Sequence, residues 1–295
     1  MSFVKSLFII SFIFIFYQLG RTHRVNTQVG QQICLSFLPE LEYRESLAAL
    51  ICGENFAKTK QSFLLTQSGL IHLFVVSGSH LIFLEQLLVI IGCGEHIIGG
   101  ALFAFLWLTG GTAPALRAFL YWVISQTNEL EKLNWGRSQR ALIAGFLCLV
   151  ILWGEQTFSL LLSWTCAAIL IFSSEFFKDS IKLLLGQQIL ITAITNLVFF
   201  NFNGNPIWSL IANLIAITFM EVVLFPLAIL TTFLRSTRIF DWTMHLIFRI
   251  CEGIPHTAFT QRQPNLVSLF WPIFVILFLH FFAHLQSVSR KRRTA

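Results

Sequence analysis

Charge is what this sequence has least of. Asp, Glu, Lys and Arg make up 12% of its 295 residues, about half the share of a soluble globular chain. Six scattered cysteines do not make a disulfide-built secreted domain. No stretch resembles a nucleotide-binding loop, and no internal repeat or low-complexity linker is present. These absences exclude a disordered chain and an ordinary cytosolic enzyme. Apolar side chains fill the space instead. The chain is 56% hydrophobic with 32 Phe and a mean hydropathy of +0.74, and several runs approach the roughly 20 residues that cross a bilayer. The expected fold class is all-α: a polytopic helical membrane protein of about 8–10 transmembrane segments, some broken or re-entrant.

The run from Phe3 to Leu19 reads as an uncleaved membrane anchor (residues 1–19) starting in the cytosol, since no small-residue cleavage site follows it. Residues 20–68 turn polar, with five basic and four acidic residues plus two cysteines, and are expected on the outer face. A core over 69–235 holds most of the apolar stretches. Within 236–265, Ile239, Phe240, Thr243, Leu246, Ile247 and Ile250 recur at helical spacing. Asp241, His245, Arg249 and Glu252 fall elsewhere around that helix, the pattern of an amphipathic helix on a membrane surface. Residues 266–295 read as a last crossing with a cytosolic tail, Arg290, Lys291, Arg292 and Arg293.

Apart from Lys5 near the start, Arg117 is the one Lys or Arg inside an apolar segment. A buried arginine there costs about 2.5–3.5 kcal/mol on insertion scales and usually faces a cavity or pathway. The blander reading makes it a structural partner of Glu85 or Glu221. Guanidinium matches phosphate through paired hydrogen bonds, which suits an anionic substrate. Just ahead lies Thr109-Gly110-Gly111-Thr112-Ala113-Pro114. Two glycines and a proline interrupt a helix, and such interruptions mark binding sites in transport proteins. The sequence predicts a helix starting near Ala113, with Thr112 as cap and Pro114 in the first turn.

A second polar cluster runs from Gly69 to Leu81, with His72, Ser77, Gly78, Ser79 and His80. In an unbroken helix Ser77 and His80 share a face while His72 points elsewhere. If Ser-Gly-Ser breaks the helix, all three polar groups can surround one opening. Cys34 and Cys52 are the only cysteines of the expected outer loop, so a disulfide is open to them. His280 and His284 stand four apart, the spacing of a metal pair on a helix, but no third ligand is near and neither metal nor cofactor is expected.

These clusters resemble the signatures of the ComEC/Rec2 competence family. Gly69, His72, Leu73, Ser77, Gly78 and His80 fill the first, and Thr109, Gly110, Pro114, Arg117 and Ala118 the second. Fainter echoes are Leu161-Leu162-Ser163-Trp164 with Ala167, and Pro206 followed by Ala212-Asn213-Leu214. The similarity covers about residues 45 to 235. It implies a bacterial inner-membrane channel for uptake of single-stranded DNA during natural transformation, doing no chemistry itself. Arg117, His72, Ser77, His80 and Asn213 would then line the DNA path, with Gly69, Gly78, Gly110 and Pro114 breaking the backbone. Longer members carry an OB-fold and a metallo-β-lactamase-like domain. This chain shows no His-x-His-x-Asp-His run, so a separate nuclease is implied, together with a DNA receptor or pilus outside and a motor ATPase inside. The alternative is a secondary transporter or channel for a small anion. An intramembrane enzyme ranks behind both, because no carboxylate is spaced to orient His72, Ser77 or His80.

Overall fold

The computed structural model describes residues 28–54, 60–67, 74, 76–152, 157–176, 183, 185–187, 189–191, 219–235, 238–253 and 273–281. The described regular elements are all helical, as the composition predicts. They are α1 (28–37), α2 (Arg44–Cys52), α3 (Lys60–Gln67), α4 (Gly78–Ile90), α5 (Glu95–Leu108), α6 (Ala113–Leu130), α7 (Arg137–Ile151) and α8 (Thr157–Phe176). A π-turn (Met220–Leu224) then runs straight into α9 (Phe225–Leu234), followed by α10 (Arg238–Glu252) and α11 (273–281).

Helix α6 sits at the centre and packs against α4, α5, α7 and α8. Its inward face carries Leu116, Leu120 and Ile124, which join Val76, Leu81, Leu102 and Leu160 in one apolar core. A second core gathers Leu47 and Leu50 of α2, Leu224, and Phe240 and Met244 of α10. Helix α10 is apolar on two sides. Phe240, Met244, Phe248 and Cys251 are buried, while Ile239, Trp242, Leu246 and Ile250 form an exposed stripe along the other side. Its side chains are tied to the α2 entrance: Asp241 accepts a hydrogen bond from the Tyr43 N–H at 3.1 Å, and the Tyr43 hydroxyl meets His245 Nδ1 at 3.1 Å.

Among the described residues no helix is long and apolar enough to cross a membrane. Helices α4, α5 and α7 have 13, 14 and 15 residues, short of the roughly 20 that a crossing takes. Helix α6 reaches 18 residues only by including Ser125-Gln126-Thr127-Asn128-Glu129. The first signature's Gly69 and His72, the Asn213 echo, and the sequence readings of residues 1–27 and 282–295 lie outside the described residues.

Cys34 of α1 and Cys52 of α2 are joined in a disulfide, with Cα atoms 5.6 Å apart. The bridge makes α1 and α2 a stapled hairpin. The hairpin leans on the turn between α5 and α6, where the Gln31 amide donates to the Cys52 carbonyl at 3.1 Å and its side chain lies over Gly110. Closing a loop with a sequence separation of 18 removes unfolded-state freedom worth about 3 kcal/mol in the chain-entropy account. Peptide mapping of unreduced protein is therefore expected to recover Cys34 and Cys52 in one linked pair. A Cys52→Ser variant should lose about 2–4 kcal/mol of stability by thermal unfolding, and an unchanged midpoint would contradict the stapling role.

Candidate functional site

The turn into α6 is built from its two glycines. Helix α5 ends at Thr109. Gly110 N–H then bonds the Trp107 carbonyl at 3.3 Å and Gly111 N–H the Leu106 carbonyl at 2.9 Å, the paired bonds of a Schellman stop. Gly110 takes φ 72°, a left-handed conformation that a side chain disfavours. Thr112 follows as N-cap with Pro114 in the first turn of α6, as the sequence predicts. The Thr112 hydroxyl does something the sequence does not show. It makes no cap bond to its own helix and instead donates to the Val76 carbonyl at 3.1 Å, tying the α6 start to the chain entering α4.

That entry is the other signature. Ser77 is extended and Gly78 opens α4, so the helix begins within Ser-Gly-Ser. His80 Nδ1 accepts from the Ser77 backbone N–H at 3.0 Å, the role a Glu or Gln plays in a capping box. The Ser77 hydroxyl meets Ser79 Oγ at 2.7 Å and His80 Nδ1 at 3.0 Å. Because a backbone N–H can only donate, a neutral His80 ring carries its proton on Nε2. The ring is buried and stands edge-on to Phe225, centroids 4.4 Å apart. Phe83 and Phe105 complete a collar of rings around Phe225 at 5.7 and 6.0 Å.

The two helix starts touch at Gly78. A Cβ placed there would lie 3.1 Å from Ala118 Cβ and 3.4 Å from both Arg117 Nη2 and the Pro114 carbonyl oxygen. Glycine at this position therefore permits the close approach of α4 to α6. Arg117 Nε donates to Ser163 Oγ of α8 at 3.1 Å, so the Leu161–Trp164 echo also arrives at the guanidinium. Arg117 is partly accessible and forms no ion pair with a carboxylate among the described residues. Glu85 lies beside Trp122 instead, and the Glu221 side chain lies outside what is described. Three sequence-predicted residues, Ser77, His80 and Arg117, thus share one locality with Gly78, Gly110 and Pro114 around them.

Sequence reasoning missed Phe225 and the π-turn before it, for which Pro226 is the only local signal. It also missed the long-range Thr112 bond, and Ser163 stood out only as part of a faint echo. Among the described residues no three His, Cys, Asp or Glu side chains converge as a metal site.

Arg117 is thus a partly accessible guanidinium at the starts of α4 and α6, with no carboxylate paired to it among the described residues. The Competence protein family matches residues 50–286, and the chain belongs to it, the ComEC/Rec2 channel-core family. Family membership associates the chain with competence, the uptake of DNA. The match runs past residue 235, where the sequence resemblance stops, and takes in α10 and α11. No curated protein and no solved structure matches the chain.

Introducing a methyl group at Gly78 should press α4 away from α6. Gly78→Ala is expected to cost about 1–3 kcal/mol as an overpacked contact. In a double-mutant cycle with Ala118→Gly the two substitutions should couple favourably by about 1 kcal/mol. Thermal unfolding of the four proteins checks this, and strict additivity would show that the two helix starts do not bear on each other.

Proposed function

We propose that this protein is a channel of the bacterial inner membrane through which single-stranded DNA enters during natural transformation. The observation that carries the reading is Arg117, a cation set among apolar helices with a serine as its side-chain partner and no carboxylate beside it among the described residues. A guanidinium in that setting favours an anion that arrives and leaves, and a phosphodiester matches its planar fork. The glycine contact and the Thr112 bond to the Val76 carbonyl hold this group on rigid elements, as a binding site requires. His80 and Ser77 lie in the same locality, and Phe225 packs edge-on to the His80 ring.

The membrane setting rests on composition and on the outer surface of the bundle. Ile90, Phe233 and Leu130 are 82%, 81% and 77% exposed, a display that water disfavours and lipid accepts. The exposed stripe of α10 would lie in the interface plane, with Arg238 and Arg249 at headgroup level. The chain would cross the bilayer several times, through broken and re-entrant segments. The disulfide hairpin would face the oxidising outer side. In this reading the chain performs no chemistry. An outer receptor or pilus would deliver the strand, a cytosolic ATPase would supply the work, and degradation of the other strand would fall to a separate nuclease.

The test is cytosolic entry of labelled DNA in a deletion strain complemented with wild type or variants. Wild type should restore entry. Arg117→Ala should lower it by about 100-fold or more at equal protein level, the cost of removing a desolvated charge contact. Arg117→Lys should fall between, since it keeps the charge but loses the fork and the Ser163 bond. Normal entry with Arg117→Ala would remove its assigned role. Normal entry in the deletion strain would remove the channel reading and favour a small-anion transporter.

A further inference from the structure

His280 of α11 belongs to neither signature, yet it is 5% exposed and its Nε2 is buried without a hydrogen-bond partner. Ser138, in the first turn of α7, holds the other side of the ring. Its hydroxyl lies 2.7 Å from His280 Nδ1 and 3.2 Å from the His280 carbonyl oxygen. That pair of contacts accommodates both charge states. With a neutral ring the hydroxyl donates to Nδ1, and the ring proton sits on Nε2. With a charged ring Nδ1–H donates to the serine oxygen, and the hydroxyl turns to the carbonyl. When the serine hydroxyl donates to Nδ1, or when the ring is charged, Nε2 presents an N–H.

Helix α8 holds a second buried donor. Trp164 is 1% exposed and its Nε1–H also has no partner. Its ring packs in one cluster with Ile276, one turn before His280 on α11. Trp164 follows Ser163, which holds Arg117, and Arg117 lies within electrostatic reach of His280. A buried donor left unpaired costs about 1–3 kcal/mol. Two such donors, with a cation near them, ask for an acceptor that is not part of the protein.

We propose that His280, oriented by Ser138, is a second phosphodiester contact on the path that begins at Arg117. The assignment rests on the channel reading above and extends it. Arg117 receives a phosphate between α4, α6 and α8, and His280 Nε2–H takes the next one among α7, α8 and α11. Lipid headgroups carry the same phosphodiester, so the experiment must separate the two sources.

Binding of a fluorescent oligothymidylate to purified full-length protein in nanodiscs provides the measurement, with phosphatidylcholine alone and with added phosphatidylglycerol. His280→Phe, which fills the space without a donor, should weaken binding by about tenfold, the worth of one hydrogen bond to a charged group. His280→Gln, which can place an N–H near the Nε2 position, should stay within about threefold of wild type. Ser138→Ala should give an intermediate loss. Equal losses for Phe and Gln, or none for Phe, would overturn the proposal. A loss seen only with phosphatidylglycerol present would assign the site to lipid and overturn it as well. Should His280→Phe fail to accumulate, unchanged affinity in Ser138→Ala decides against it. Wild type that binds no oligonucleotide removes the channel reading itself, which separates the two failures.

Discussion

A guanidinium can sit among apolar helices only if something fixes it there and something else answers its charge. The first condition shapes most of the structure around α6. Ser163 takes the Nε proton in a hydrogen bond, Gly78 lets α4 come within van der Waals range, and the Gly110 stop sets where α6 begins. Moving any one of these displaces the others, because all three converge on the first two turns of one helix. The second condition is left open by the described side chains, which place no carboxylate in an ion pair with it. A permanently paired arginine would be inert toward a passing anion; one held by a neutral hydroxyl keeps its charge available.

The stapled hairpin contributes from outside this centre. Gln31 bonds the Cys52 carbonyl and covers Gly110, and Trp107, at the end of α5, packs over Gly30. The turn that aims α6 is thus braced from the hairpin side, and the disulfide keeps the brace from fraying. Tyr43 does the same on the other flank, stacking on Phe248 at 5.4 Å while bonding Asp241 and His245. The surface helix α10 and the turn before Arg117 are therefore linked through α1 and α2.

What could be read in the sequence was what is local. The Schellman stop, the Thr112 and Pro114 helix start and the Ser-Gly-Ser break each follow from residue types within a few positions. Arg117 stood out because, Lys5 apart, it is the one Lys or Arg inside an apolar run. The Cys34–Cys52 bridge was open to reading for the plain reason that no other cysteine lay in its loop. Contacts between distant segments were not legible. Nothing in Thr112 says that its hydroxyl will leave its own helix for Val76, and nothing in Ser138 and His280, 142 positions apart, says that they will meet. The glycine breaks were legible too: Gly110 and Gly111 take left-handed backbones where the sequence interrupts its apolar run.

The π-turn carries a consequence of another kind. A helix that widens for one turn holds one residue more than its length requires, and each residue rotates the downstream helix by about 100°. Phe225 faces His80 because of how many residues precede it in Met220–Leu224, as much as because of what they are. Loops tolerate gain or loss of a residue by changing shape. Here a single deletion would turn Phe225 away from the ring collar and swing a neighbour into its place. A substitution within 220–224 keeps that facing, whereas a deletion does not.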